Sequence, residues 1–167
     1  MELTKKTATE CIESITAVLK PVVGLDDWDF NWIFEQMDAN DNGTVPLGHA
    51  KVDYSHSRVV IFLDIGRHDE NLEDLVDTIR HEVLHATHFM WNRAITLASR
   101  MLPEGSGEVM EAVWTDAVEE HVTYMSHFLD RIGFSVPELM KHFENHKNGG
   151  VENGGEGPDN GDGPSRA

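Results

Sequence analysis

The sequence contains one cysteine, Cys11, so no intramolecular disulfide can form, and at 167 residues none is needed to stabilise a core. Cys11 falls on the apolar side of a first helix, the setting of a buried, inert thiol. No stretch approaches the roughly 20 apolar residues that span a bilayer, and Met1 to Lys6 is not followed by an unbroken apolar run. Both features predict a protein without membrane contact, working in the cytoplasm. Cations are scarce: 13 Lys and Arg stand against 30 Asp and Glu, a formal charge of −17. That surplus excludes nucleic acid as a partner, because its phosphates would meet repulsion in place of counterion release, and it favours cationic partners.

Apolar residues are not scarce. They make up 40% of the chain, with four Trp and seven Phe among them, enough for a globular core. Ala8, Cys11, Ile12, Ile15, Val18 and Leu19 recur at helical spacing over Thr4 to Leu19, and Pro21 is expected to end that helix. Trp28, Phe30, Trp32 and Phe34 alternate with Asp29, Asn31, Ile33 and Glu35, the period of a strand with one buried face. Further strands are predicted around Ala50, Val52 and Tyr54 and over Arg58 to Asp64. Leu72, Leu75, Val76, Ile79, Val83, Ala86 and Met90 share one face of a helix that begins after Asn71. A second long helix is predicted from about Glu108 to Ile132, with Ser106 as its N-cap and Gly133 as its stop. Ser135-Val-Pro-Glu138 has the form of a capping box opening a last helix. The fold class read from this order is α+β: a small antiparallel sheet packed on two long helices. Residues 1–147 form one domain in this reading, and the Gly- and acid-rich 148–167 a disordered tail.

The segment His81-Glu82-Val83-Leu84-His85 has the pattern H-E-x-x-H. Two imidazoles four residues apart project from one helix face and can bind one metal, with the intervening Glu beside them. His81 and His85 lie within about 40° of each other on the helix, at the border of its apolar face. His88 follows one turn later, too far along the axis to share their metal, and reads as a surface or rim histidine. Zinc with an open position for water needs a third protein ligand. The second long helix offers Glu120 at the edge of its apolar set (Val113, Trp114, Ala117, Val118, Tyr124, Met125, Phe128, Leu129), His121 near the centre, and Glu119 among polar neighbours. The preference runs Glu120, then His121, then Glu119. Tyr124 reads as a core residue whose hydroxyl could reach the site.

The combination of Thr78-Ile-Arg-His-Glu-Val-Leu-His85-Ala with a later helix containing Glu119-Glu120-His-Val-Thr-Tyr124 resembles the zincin metallopeptidases, specifically minimal gluzincin-like proteins of bacteria and phages, over about residues 26 to 132. The resemblance implies a zincin-like fold and a zinc-dependent peptidase acting on a peptide or protein substrate. Zn²⁺ would be held by His81, His85 and Glu120, and Glu82 would be the general base towards zinc-bound water. It also implies an edge strand lining the cleft and pairing with extended substrate, for which Arg58 to Asp64 is the candidate. Two positions depart from the family pattern: Tyr124 stands where an Asp is often found, and the interval from His85 to Glu120 is long.

Two rivals stand beside this reading. Asp38-Ala-Asn40-Asp-Asn42-Gly43-Thr-Val45 matches the first half of an EF-hand calcium loop, although His49 occupies the twelfth position in place of Glu and Pro46 the ninth. A turn between strands is the simpler account. The other rival is a noncatalytic acidic protein that binds metal structurally or occupies a basic partner.

Overall fold

The computed structural model describes residues 3–39, 43–53, 56–68, 71–103 and 105–149. Helix α1 (Lys5–Val22) is capped by Thr4, whose Oγ1 accepts the Thr7 N–H at 3.1 Å. It runs through Pro21 rather than ending before it. Three strands follow, β1 (Asp29–Phe34), β2 (Gly48–Asp53) and β3 (Arg58–Leu63). After a 3-10 turn at Ile65–Arg67 come α2 (Leu72–Ala86), α3 (Phe89–Ser99), α4 (Ser106–Arg131) and α5 (Val136–Gly149).

The architecture is α+β, but the sheet is mixed, not antiparallel. Its order is β1-β3-β2, with β1 parallel to β3 and β2 antiparallel to it. Period-two alternation looks the same in either direction, so it could not decide the point. The link of residues 35–47 decides it: long enough to cross the end of β3, it lets β3 slot between β1 and β2. The Glu35 N–H donates to Leu63 O and the Asp64 N–H to Leu47 O, which pins both ends of that link to β3. The EF-hand alternative loses its flanks, since β1 and β2 stand where entering and exiting helices would be; Asn40 and Asn42 lie outside the described residues. The anticipated disordered tail likewise lies outside them, apart from Asn148 and Gly149, which belong to α5.

Val59, Ile61 and Leu63 of β3 are fully buried, flanked by Phe30, Trp32, Phe34, Ala50 and Val52 on the same face. The core continues through Ile12, Ile15 and Leu19 of α1, Leu75, Val76, Ile79 and Val83 of α2, and Leu139 and Phe143 of α5. Cys11 is free and buried there, its thiol pushed up to about 12 by burial. Half of the capping box is present: Glu138 Oε2 accepts from the Ser135 N–H and hydroxyl at 3.2 and 2.8 Å, while the Glu138 N–H donates to the Ser135 carbonyl and not to its side chain.

The motif-bearing segment is shorter than its apolar period suggests. α2 stops at Ala86, and the chain re-forms as α3 after Thr87 and His88, so Met90 belongs to a different helix. Helix α2 is central, touching α1, β2, α4 and α5. It is buried on most sides except the strip bearing Asp77, His81 and His85. Arg80 is buried beside that strip and bonded to Asp77 at 2.9 Å and Asp130 at 2.5 Å, which ties α2 to the end of α4. Gly105, at φ +82°, takes the cap position expected of Ser106, which becomes the first residue of α4. None of the described helices is long and apolar enough to cross a membrane.

Candidate metal centre

Helical geometry puts His81 and His85 one turn apart on a half-buried strip of α2, and their Nε2 atoms lie 2.9 Å from each other. The acid that meets them is Glu119 of α4: its Oε1 is 3.3 Å from His85 Nε2 and its Oε2 3.5 Å from His81 Nε2. One ligand atom from each of the three residues falls within 4.8 Å of the others. At metal–ligand lengths near 2.0–2.1 Å, ligand atoms of a tetrahedral zinc lie about 3.3 Å apart. The nearest contacts to Glu119 are close to that spacing but reach different carboxylate oxygens, so the side chain must turn to bring one oxygen to both imidazoles, and the imidazoles must open by a few tenths of an ångström. The group is therefore able to hold one metal ion.

Glu120, expected as the third ligand, is exposed and does not join the group. The reason is the rotation of α4. Its buried residues are Val118, Val122 and Leu129, centred about 160° from Val113 at 100° per residue. Glu120, at about 340°, is then on the opposite side of the helix, whereas Glu119, at about 240°, flanks the buried stripe. Sequence reasoning centred the stripe on the whole apolar set, but Val113, Tyr124 and Phe128 are exposed. Tyr124 is accordingly not a core residue; its ring stacks on His121.

On the other flank of the same stripe, His121 Nδ1 approaches His88 Nε2 at 2.5 Å. His88 is buried, not a surface histidine, and its Nδ1 lies 3.2 Å from Leu84 O. This second imidazole pair fastens the α2–α3 junction to α4. Burial, opposed by that backbone contact and assisted by His121, lowers the His88 pKa.

Glu82 lies beneath the cluster, buried, with its carboxylate taking a hydrogen bond from the Ala50 backbone of β2. The neighbouring Gly48 leaves room for it: a Cβ there would sit 2.9 Å from both Cγ and Oε1 of Glu82. Gly48 and the Ala50 N–H were missed in the sequence. The available signal was a glycine opening a period-two strand, which often marks a close approach. Burial, then the charge of Glu119, push the Glu82 pKa up to about 8 against the pull of the Ala50 hydrogen bond. His85 moves the other way, to about 4, through burial and then the neighbouring His81, His88 and His49. A neutral His85 keeps its ring nitrogen lone pair free for a cation at neutral pH.

These residues line a cleft of about 890 Å³ between β2 on one side and α3 and α4 on the other. The wall is edge strand β2, not Arg58 to Asp64 as expected, since β3 is the central strand. Among the described residues, four acids line the cleft, Asp77, Glu82, Glu111 and Glu119, and no Lys or Arg. Comparison of the chain with protein-family models, curated proteins and solved structures finds no match.

Proposed function

We propose that this protein binds one zinc ion through His81, His85 and Glu119, and that the site hydrolyses peptide bonds with Glu82 as the proton carrier. The observation that carries the reading is the convergence of those three donors in a cleft that also holds Glu82. When bound, zinc supplies a Lewis acid that polarises a carbonyl and acidifies water. Glu82 handles the proton. Its pKa, pushed up to about 8 by burial and Glu119, would fall beside a bound dication, and Glu82 would then accept a proton at neutral pH and return it to a departing amine. The substrate class is read from β2, the edge strand that lines the cleft: apart from the Ala50 N–H, which Glu82 takes, its outward backbone groups would pair with an extended chain. An H-E-x-x-H helix beside an antiparallel edge strand, with an acid from a later helix, supports the zincin-like reading.

A noncatalytic metal site is the second reading, favoured by the Glu82 carboxylate being held by the Ala50 backbone and packed against Gly48, as a clamp between α2 and β2 would be. Metal analysis comes first, because two His and one carboxylate also suit ferrous iron. The native chain is expected to hold zinc at one ion per molecule. His81→Ala, His85→Ala and Glu119→Ala should lose it, and Glu120→Ala should retain it. Equal zinc in the native and Glu119→Ala proteins refutes the assignment. Glu82→Gln then separates the two readings: cleavage of an unstructured protein stops while zinc stays if the site is hydrolytic, and neither protein cleaves it if the site is structural.

A further inference from the structure

The wall of the cleft opposite β2 is made by the facing sides of α3 and α4. On α4, Glu111, Thr115 and Glu119 follow one another at four-residue spacing, so they share one helix face, and all three line the cleft. Glu119 belongs to the metal group. Glu111 stands eight residues before it, about 12 Å along the helix axis, at the part of the cleft that Ile95, Thr96 and Trp114 also line. Its carboxylate is fixed from behind. The hydroxyl of buried Ser99 donates to Glu111 Oε1, and Gly107 permits that approach of α4 to α3, since a Cβ there would lie 2.6 Å from Ser99 O. The Trp114 indole N–H donates to Asn92 Oδ1 at 2.5 Å, which holds the ring on the same wall.

Charge singles out the same residue. Four acids line the cleft, and no Lys or Arg among the described residues lines it with them; Arg93 and Arg100 of α3 lie outside its lining. Three of the acids have other tasks: Asp77 is bonded to Arg80 at 2.9 Å, Glu82 is held by the Ala50 backbone, and Glu119 meets the two imidazoles. A dication bound there would be balanced by Glu82 and Glu119, leaving Glu111 negative. Burial lowers the pKa of His85 and His49, which also line the cleft, so neither opposes that charge at neutral pH. We propose that Glu111 is a specificity residue that takes a Lys or Arg side chain of a peptide lying in the cleft, within about four residues of the bond presented to the metal centre. The span follows from the 12 Å separation, because an extended chain advances about 3.3 Å per residue. The aliphatic stem of Lys or Arg would lie along Ile95 and Trp114 while its charged end reaches the carboxylate. Recognition stands on the cleft itself; only what then happens to the peptide rests on the hydrolytic reading above.

The test is fluorescence anisotropy of labelled peptides of about ten residues, long enough at roughly 33 Å to pass both Glu111 and the metal group. Each carries one Arg, moved through every position, and is compared with the same peptide carrying citrulline, which keeps the shape and loses the charge. Binding is measured on the full chain with zinc and again with chelator. At one or more positions Arg should bind at least about fivefold more tightly than citrulline, with the ratio falling towards one as salt rises. Glu111→Gln, which keeps an acceptor for the Ser99 hydroxyl, should abolish that ratio while affinity for the citrulline peptide, zinc content and circular dichroism stay native. Asp116→Asn takes the same charge from an exposed position of α4 outside the cleft lining and should leave the ratio within about twofold of native. Equal affinity of the Arg and citrulline forms at every position, absence of binding included, overturns the proposal, as does a preference that survives Glu111→Gln. An equal loss in Asp116→Asn also overturns it, in favour of general attraction to a chain of charge −17. A Glu111-dependent preference in a zinc-loaded protein that cuts none of the peptides supports the recognition and removes the hydrolytic reading, whereas cleavage of both forms with equal affinity removes the recognition alone.

Discussion

Replacing Glu82 by Gln should change how the stability of the metal-free protein depends on pH. Glu82 is 5% exposed, and its pKa rises from 4.5 in the unfolded chain to about 8 in the folded one. A raised carboxyl pKa means that the folded state holds a proton the unfolded state has released. Its stabilising contribution is therefore complete below 4.5 and is lost as pH rises to about 8, by about 1.4 kcal/mol per unit. His85, lowered from 6.5 to about 4, works in the opposite sense: its contribution is complete above 6.5 and is lost as pH falls towards 4. Between 4.5 and 6.5 these two slopes cancel, and the lowered pKa values of His49 and His88 leave a net rise of stability with pH. From 6.5 to about 8 only Glu82 acts, and the native chain should lose on the order of 2 kcal/mol over that interval. With Gln at position 82 the loss above 6.5 disappears, and stability instead rises by on the order of 3 kcal/mol from pH 4 to 6.5. Urea titrations in chelator at half-unit steps of pH read both curves. Identical pH profiles of the native and Glu82→Gln proteins above 6.5 would show that no buried proton resides on this carboxyl.

Four further outcomes are expected. Zinc at a hundredfold excess over its dissociation constant should stabilise the native chain by about 2.7 kcal/mol, read as a thermal shift that His81→Ala abolishes. Gly48→Ala drives a methyl into Glu82 and should cost about 1–3 kcal/mol in a urea midpoint, with Lys51→Ala on the exposed face of the same strand as the near-neutral control. Arg80→Met removes the buried cation from Asp77 and Asp130 and should cost about 2–3 kcal/mol by the same assay, because both acids can turn to solvent; an unchanged midpoint would show that this tie is dispensable. Cys11, buried and with its thiol pushed up to about 12, should resist iodoacetamide at pH 8 in the folded protein and react promptly in urea, as mass spectrometry would record.

Much of this molecule was readable along the chain because local rules act there. Periodicity located α1, α4 and all three strands, Asn71 capped α2 as a short polar side chain should, and Glu138 reached back to the Ser135 N–H as its place in the S-x-x-E pattern implies. The pairing of His81 with His85 followed from helical spacing alone, since four residues bring two side chains to one face wherever the helix goes. What the chain could not state was anything that depends on how elements meet. The parallel alignment of β1 with β3 depends on a crossing link, and the choice of β2 as cleft wall on which strand is left at the edge. The substitution of Glu119 for Glu120 depends on a rotation of α4 of roughly 80° relative to its full apolar set. That rotation is set by which of its apolar residues α2 can accommodate, Val118, Val122 and Leu129, while Val113 and Tyr124 remain in solvent. An amphipathic helix specifies that it has an inward face, but its neighbours decide where the centre of that face falls. One residue of error along a helix moves a side chain by about 100°, enough to exchange a candidate ligand for an acid in solvent.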